Sequence, residues 1–403
     1  MKQSIVILFI LVFSNFSNTS FGAENKSPEI KISANFPGGN IVVDSIKGST
    51  VYLRPELRDT DHEWFYWYFS IKSNQSDSIR FVFNRKECMT IKGPAVSRDL
   101  GKSWNWLYSG TISNNEFTAY INAGKEFRFS MGMPYTQSNF DAFLKPYRSS
   151  PNVRLDTLCV TPKGRVTEKL VIHPSKPGNI RRKVLITARH HACEMMANYV
   201  MEGLIASVLS KDPAMKALRE STEFWFIPFM DKDGVEDGDQ GKYRAPRDHN
   251  RDYDGNSIYC STSALRTQVP VWSNNQVEVM MDLHCPTLRG TWNEVIYMVG
   301  SAKPEVEEEQ RSYLKHIVAN NRGVVKYDTV KGLLAYGTAW NKASNTTQGM
   351  SSSQWAQTIP GIKLASSFEF PYAVHNGETM TPEKLRLLGR DMAFALGAYL
   401  VVK

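Results

Sequence analysis

The spacing of hydrophobic and polar positions changes near residue 150. Before it, apolar residues come in short runs at 41–43, 50–53, 64–71, 80–83, 117–121 and 127–129. Turn formers separate them, notably Pro37-Gly38-Gly39-Asn40 and Ser113-Asn114-Asn115. Short strands at this spacing predict an all-β sandwich over residues 24–150. The aromatic block at 64–69 reads as a strand that fills the sandwich core and leans on the next domain, because aromatic rings dominate core area. A polar stretch at 146–152 marks the boundary. From 151 to 403 the pattern alternates. Apolar strand runs stand at 170–172, 184–186, 224–227, 277–281, 295–299 and 364–370. Helical patterns follow Glu194, cover 304–321, and close the chain from Thr381-Pro382-Glu383. Strands alternating with helices predict an α/β domain with a mainly parallel or mixed sheet.

Composition adds little to this picture. Hydrophobic content of 42% and charged content of 22% are those of a soluble globular chain, and 403 residues are enough for two domains. The basic residues behind the net charge of +8 are scattered, and no nucleic-acid module is present, so the charge reads as solubility first. Residues 1–23 have the form of a secretory signal. Lys2 supplies the positive start, residues 5–13 an apolar core, and Ser20 and Gly22 small residues before Ala23. The expectation is a secreted or periplasmic protein without stable membrane insertion after signal removal. Five cysteines do not make a disulfide scaffold. Cys193 and Cys285 each flank a candidate ligand, and in an oxidising compartment they could pair.

The chemistry gathers where strands end. In Lys183-Val184-Leu185-Ile186-Thr187-Ala188-Arg189-His190-His191-Ala192-Cys193-Glu194, a buried strand gives way to a helix. An imidazole and a carboxylate three residues apart at such a switch can reach one metal ion at the carboxyl end of a sheet. His284, after a second buried strand, completes a pattern of two ligands close in sequence and a third far away, as in catalytic zinc sites. The loop 231–253 carries Arg244, Arg247, Asp248, Asn250 and Arg251, and reads as a carboxylate clamp, since a guanidinium fork matches a carboxylate. It lacks the residue order of a calcium loop. Glu369 interrupts an apolar strand, a costly position unless it faces a site, and desolvation there raises a carboxyl pKa toward that of a general base.

The set His191-x-x-Glu194, Asn250-Arg251, His284 and Glu369, in this order, resembles the zinc carboxypeptidase superfamily with its carboxypeptidase A-like catalytic domain. The upstream residues Phe36-Pro37-Gly38-Gly39-Asn40, Trp64-Phe65-Tyr66 and Pro134-Tyr135-Thr136 are similar to the β-domain of its cytosolic-carboxypeptidase branch. The resemblance implies a mixed-sheet α/β catalytic domain with helices on both faces, preceded by the sandwich. It implies one Zn2+ held by His191, Glu194 and His284, and Glu369 as general base. Asn250 and Arg251 would grip the substrate's terminal carboxylate, and Asp248 would orient His191. Arg244 would stabilise the developing oxyanion, with Arg247 as its rival. The partner implied is a peptide or peptide-like substrate with a free C-terminal carboxylate, and no nucleic acid. The chain departs from the family in carrying Ala192-Cys193 between the first two ligands and Trp340 after Gly337-Thr338-Ala339. The same scaffold also suits a cell-wall peptide amidase or an N-acyl amino acid deacylase, and a chain that had lost chemistry would be a peptide- or glycan-binding protein.

Overall fold

A computed structural model describes residues 28–402 except 86, 108–111, 114 and 346–347, so the signal-like segment lies outside the described residues. Among those described, no helix is long and apolar enough to cross a membrane.

Nine strands come first: β1 (Ile30–Ser33), β2 (Val42–Lys47), β3 (Thr50–Arg54), β4 (Tyr68–Ser73), β5 (Asp77–Phe83), β6 (Ala95–Ser97), β7 (Asn105–Trp106), β8 (Glu116–Ile121) and β9 (Glu126–Ser130). They form a five-stranded sheet, β1-β4-β9-β6-β7, and a four-stranded one, β2-β3-β5-β8. The sheets face each other through aromatic rings, with Phe69 5.5 Å from Phe81 and Phe117 5.1 Å from Phe129. Of the aromatic block, Trp67 and Phe69 fill this core. Phe65 instead meets Tyr372 of the following region at 5.8 Å.

After α1 (Gln137–Leu144) come β10 (Val153–Val160), β11 (Val166–Ile172), β12 (Arg182–Ala188), α2 (Met196–Val208), α3 (Pro213–Arg219), β13 (Thr222–Ile227) and α4 (Lys232–Asp237). Then follow α5 (Cys260–Ser273), β14 (Val279–His284), β15 (Tyr297–Val299), α6 (Pro304–Asn320), β16 (Leu333–Leu334), α7 (Ser352–Ala356), β17 (Leu364–Glu369) and α8 (Pro382–Val402). The strands form a mixed sheet ordered β10-β11-β13-β12-β14-β17-β15-β16. Its four middle strands are parallel, while β11 and β15 join antiparallel. Strand periodicity sorts the residues of β12: Val184, Ile186 and Ala188 pack with α2 and α8, whereas Leu185 packs with α5 and α7 on the other face.

Helices α2 and α8 cross backbone against backbone. A Cβ at Gly203 would lie 2.0 Å from the Arg386 carbonyl oxygen, and one at Gly389 would lie 2.0 Å from that of Val200. The larger core runs without a break from the two N-terminal sheets into α2, α8 and the middle of the mixed sheet.

The sequence pattern does not show β1, β6, β7, α1, β10, α3, α4, α5, β16 or α7. Strand β10 is an edge with little burial. Helix α5 is rich in Ser and Thr and contains Pro270, so its composition argues against the helix that packing imposes. Glu369 closes its strand rather than interrupting it, and His284 is the last residue of β14.

Candidate active site

The parallel strands end at one edge of the sheet, and the ligand candidates stand there. β12 runs into the turn 189–195, β14 ends at His284 and β17 at Glu369. His191, Glu194 and His284 are all buried, with candidate ligand atoms within 4.8 Å of one another. The Glu194 carboxylate lies between two imidazoles, Oε1 2.8 Å from His191 Nδ1 and Oε2 2.7 Å from His284 Nδ1. Burial opposes ionisation of Glu194, but the two rings overcome this and hold its carboxyl below the ordinary range. Each ring turns its other nitrogen to a carboxylate: His191 Nε2 is 3.1 Å from Asp248, and His284 Nε2 is 2.6 Å from Asp282. Such contacts orient the rings, and with a metal bound they would fix the tautomer whose Nδ1 offers its lone pair. Burial opposes protonation of both rings, but the Glu194 charge raises His191, and Asp282 with Glu194 raises His284, so the protonated forms are favoured. Two imidazoles and one carboxylate converging on a shared space are nonetheless the donor set a zinc ion takes once those protons are displaced, so the residues fit the metal.

The turn that carries His191 and Glu194 is held from several sides. Arg189 has φ +63°, unusual for a long side chain, and is buried. Its guanidinium donates to the Ala192 and Tyr135 carbonyls and, at 2.8 Å, to Asn198 Oδ1. From the other side, Gln240 O accepts from Cys193 N at 3.1 Å. Gly241 lies so close that a Cβ there would be 2.1 Å from Ala192 N, with φ +76°, a position only glycine fills without strain. Gln240 is itself held by the N-terminal sheets: it accepts from Tyr66 N at 2.8 Å and donates to Tyr66 O and Glu56 O, while Asp59 accepts from the backbone N–H groups of Gln240 and Gly241.

Glu369 pairs with His284 across the sheet on one side and with Tyr297 on the other. Its Oε2 is buried and has no hydrogen-bond partner among the described residues. Burial, opposed by His284 and reinforced by Glu194, pushes its carboxyl up to about 7. A buried oxygen without a partner beside a candidate ligand set makes Glu369 a candidate for chemistry.

The clamp residues take different positions. Asn250 is buried: its Oδ1 accepts from Ser352 N at 2.8 Å, and its Nδ2 is 3.1 Å from His284 Nε2. Arg251 donates to the backbone carbonyls of Asn250 and Asn345, and among the described residues its guanidinium has no carboxylate partner. Arg247 is bound to Asp252 at 2.8 Å and to the Asn256 carbonyl. Arg244 is held by Asp231, by Asp239 at 3.0 Å and by Asp59 at 3.6 Å. The structure therefore gathers His191, Glu194, His284, Asp248, Asn250 and Glu369, and places the Arg244 and Arg247 side chains in ion pairs of their own. Lys242 is the cation whose field reaches His191, Asp248 and Glu369. Cys193 and Cys285 are both buried and unbonded to each other. Cys193 Sγ receives the Trp64 indole N–H at 3.3 Å, and Cys285 Sγ lies 3.5 Å from the Glu194 carbonyl.

Asp282 had no assigned role in the sequence reading, although it stands two residues before His284. It is fully buried and binds Thr187 at 2.7 Å, His190 at 2.9 Å, His284 and Ser352. The polar residue inside an otherwise apolar strand is the signal that would have found it.

Residues 141–395 match the zinc carboxypeptidase family model, well over half of the chain. The chain belongs to the zinc carboxypeptidase family. Cytosolic carboxypeptidase 6 of Caenorhabditis elegans is 25% identical over 327 residues, covering 71% of this chain and 69% of the worm protein. Cytosolic carboxypeptidase 3 of Mus musculus is 29% identical over 328 residues, but this chain spans 31% of the mouse protein's length. Among solved structures, a metallo-carboxypeptidase from Burkholderia cenocepacia superposes with a TM-score of 0.76 at 19% identity, covering 93% of this chain and 99% of that one. One from Pseudomonas aeruginosa, in complex with (2-guanidinoethylmercapto)succinic acid, gives 0.74 at 19% identity over 92% and 99%. At these coverages the shared fold includes the N-terminal sheets as well as this zinc carboxypeptidase's mixed sheet.

Proposed function

We propose that the protein removes the last residue of peptides that end in a free carboxylate, with Glu369 as the general base. The observation that carries this is the buried, unpartnered Glu369 Oε2, on the strand paired with the one that ends in His284. A zinc ion held by His191, Glu194 and His284 would supply the Lewis acidity that polarises a carbonyl and lowers the pKa of water. The rest falls to the chain. With the metal bound, Asp248 and Asp282 would hold the two imidazoles in the tautomer that presents Nδ1. Glu369, with a carboxyl near neutrality, is suited to take a proton from the attacking water and return it to the leaving amine. Arg251, with a guanidinium bound only by backbone carbonyls among the described residues, is the cation free to pair with a substrate carboxylate. Arg244 and Arg247, bound to aspartates, brace the loop that carries Asn250 and Arg251. The proposed location outside the cytoplasm rests on residues 1–23.

Glu369→Gln is the decisive variant. It should lower kcat by about 100-fold or more while the purified protein retains its zinc, as read by metal analysis. Undiminished turnover in that variant would refute the base assignment. C-terminal amidation of a cleaved peptide should abolish its hydrolysis, and continued cleavage would favour the amidase or deacylase reading on the same scaffold.

A further inference from the structure

On the face of the mixed sheet away from α2 and α8, Cys159 of β10 and Cys260 in the first turn of α5 bring their sulfurs to 2.8 Å, across a sequence separation of 101 residues. Both are half-buried rather than sealed in the core. Two thiols at this distance are inside van der Waals contact, and closing about 0.8 Å more would bring them to the ~2.0 Å of an S–S bond. We propose that Cys159 and Cys260 form a disulfide that straps the edge of the catalytic sheet to the helix after the substrate loop, and that this is the bond the chain makes, in place of one between Cys193 and Cys285.

The local fold is built for the contact. The β10–β11 ladder slips between Thr157 and Cys159, a bulge that puts an extra residue into β10. Leu158 enters the apolar cluster beneath α5 with Leu265 and Val269, and the next residue, Cys159, reaches the α5 amino end. Gln268 of α5 ties the same strand by donating to the Leu158 carbonyl at 3.0 Å. Cys260 is held by its place directly after Tyr259, whose ring stacks on His249 at 3.8 Å and whose hydroxyl donates to the Arg247 carbonyl. The strap therefore ends beside Tyr259, whose ring and hydroxyl touch the loop that presents Asp248, Asn250 and Arg251. A metal reading of the same pair is not supported: among the described residues the groupings able to hold an ion are those of the active site.

The two thiols differ in reactivity. The Cys159 contact, then backbone N–H groups at the α5 amino end, lower the Cys260 thiol against its partial burial, whereas the Cys260 contact and burial raise Cys159. Cys260, as the first residue of α5 beside its free backbone N–H groups, is the attacking sulfur. Its thiolate displaces one thiolate from an external disulfide, such as oxidised glutathione, giving a mixed disulfide. The Cys159 thiolate then attacks Cys260 Sγ and expels the second thiolate. Two protein thiols lose two protons and two electrons, and the external disulfide is reduced to two thiols.

The test uses the full-length, zinc-loaded protein incubated with oxidised glutathione, then denatured without reductant and alkylated. The expected result is three alkylated cysteines out of five, with one linked peptide pair containing Cys159 and Cys260. The oxidised protein should also melt several degrees higher than after treatment with a phosphine reductant, a difference that Cys159→Ser abolishes. Five alkylated cysteines, a link between Cys193 and Cys285, or stable glutathione adducts without a 159–260 link would each overturn the proposal.

Discussion

Asp282 shows how much of a metal site lies behind its ligands. Its carboxylate accepts from Thr187 and Ser352 and meets both His190 and His284, so one buried charge orders two imidazoles at once. Asp282→Asn keeps the volume but removes an acceptor from His284 Nε2. Zinc affinity should fall by about 10–100-fold, measured by competition with a chromophoric chelator. An unchanged affinity would show that the ring is held in place without the Asp282 charge. The candidate ligands could be picked out because a metal demands particular atoms at particular spacings, and the fold brings them together. Arg189 was not legible. An arginine beside two histidines invites a role with substrate, yet its guanidinium is buried and spent on the Ala192 and Tyr135 carbonyls and on Asn198. Which way a long side chain turns depends on backbone φ and on neighbours that only the fold supplies.

At the scale of elements, the strands read best. Those at 170–172, 184–186 and 224–227 are apolar because helices cover both faces, and that signal is strong in a single sequence. Helix α2 reads as helical, but the stripe of Met196, Tyr199, Val200, Leu204 and Val208 suggests a half-exposed helix, whereas nearly every residue of α2 is buried. The polar residues on its other side are satisfied internally: Asn198 by Arg189 and the Pro228 carbonyl, Glu202 by Tyr135 and Arg386. The crossing with α8 explains the glycines that interrupt both patterns. Gly203→Ala places a methyl group against backbone rather than a movable side chain, and should destabilise the protein by about 2 kcal/mol or more. A denaturant midpoint equal to the parent protein's would mean that the helices separate at no cost.

At the scale of the molecule, the N-terminal sheets and the mixed sheet share one continuous apolar core and meet across a polar seam. Asp59, Tyr66 and Glu56 bind Gln240 and Gly241, and Trp106 donates to the Met380 carbonyl at 2.7 Å. The two regions are therefore expected to unfold together, as one calorimetric transition with matching calorimetric and van't Hoff enthalpies. Two resolved transitions would show that the seam is weaker than its hydrogen bonds suggest. The polar stretch at 146–152 marks a change of architecture along the chain. The aromatic block at 64–69 reads as leaning on the next domain, but the hydrogen bonds of the seam were illegible, because the residues that make them are far apart in sequence.

The strand order has a consequence in time. Glu194 and His284 lie 90 residues apart, and β12, which leads into the turn bearing Glu194, and β14, which ends in His284, are neighbours in the sheet although β13 comes between them along the chain. Parallel neighbours of this kind pair late, after long loops have closed. Until they do, the three ligands are scattered along a chain with no local segment that holds them all. Zinc therefore has nothing complete to grip at the start of folding. A zinc ion would then bind a finished cradle, as a lock turned after the door has closed, and the order of events would be set by the sheet rather than by the metal.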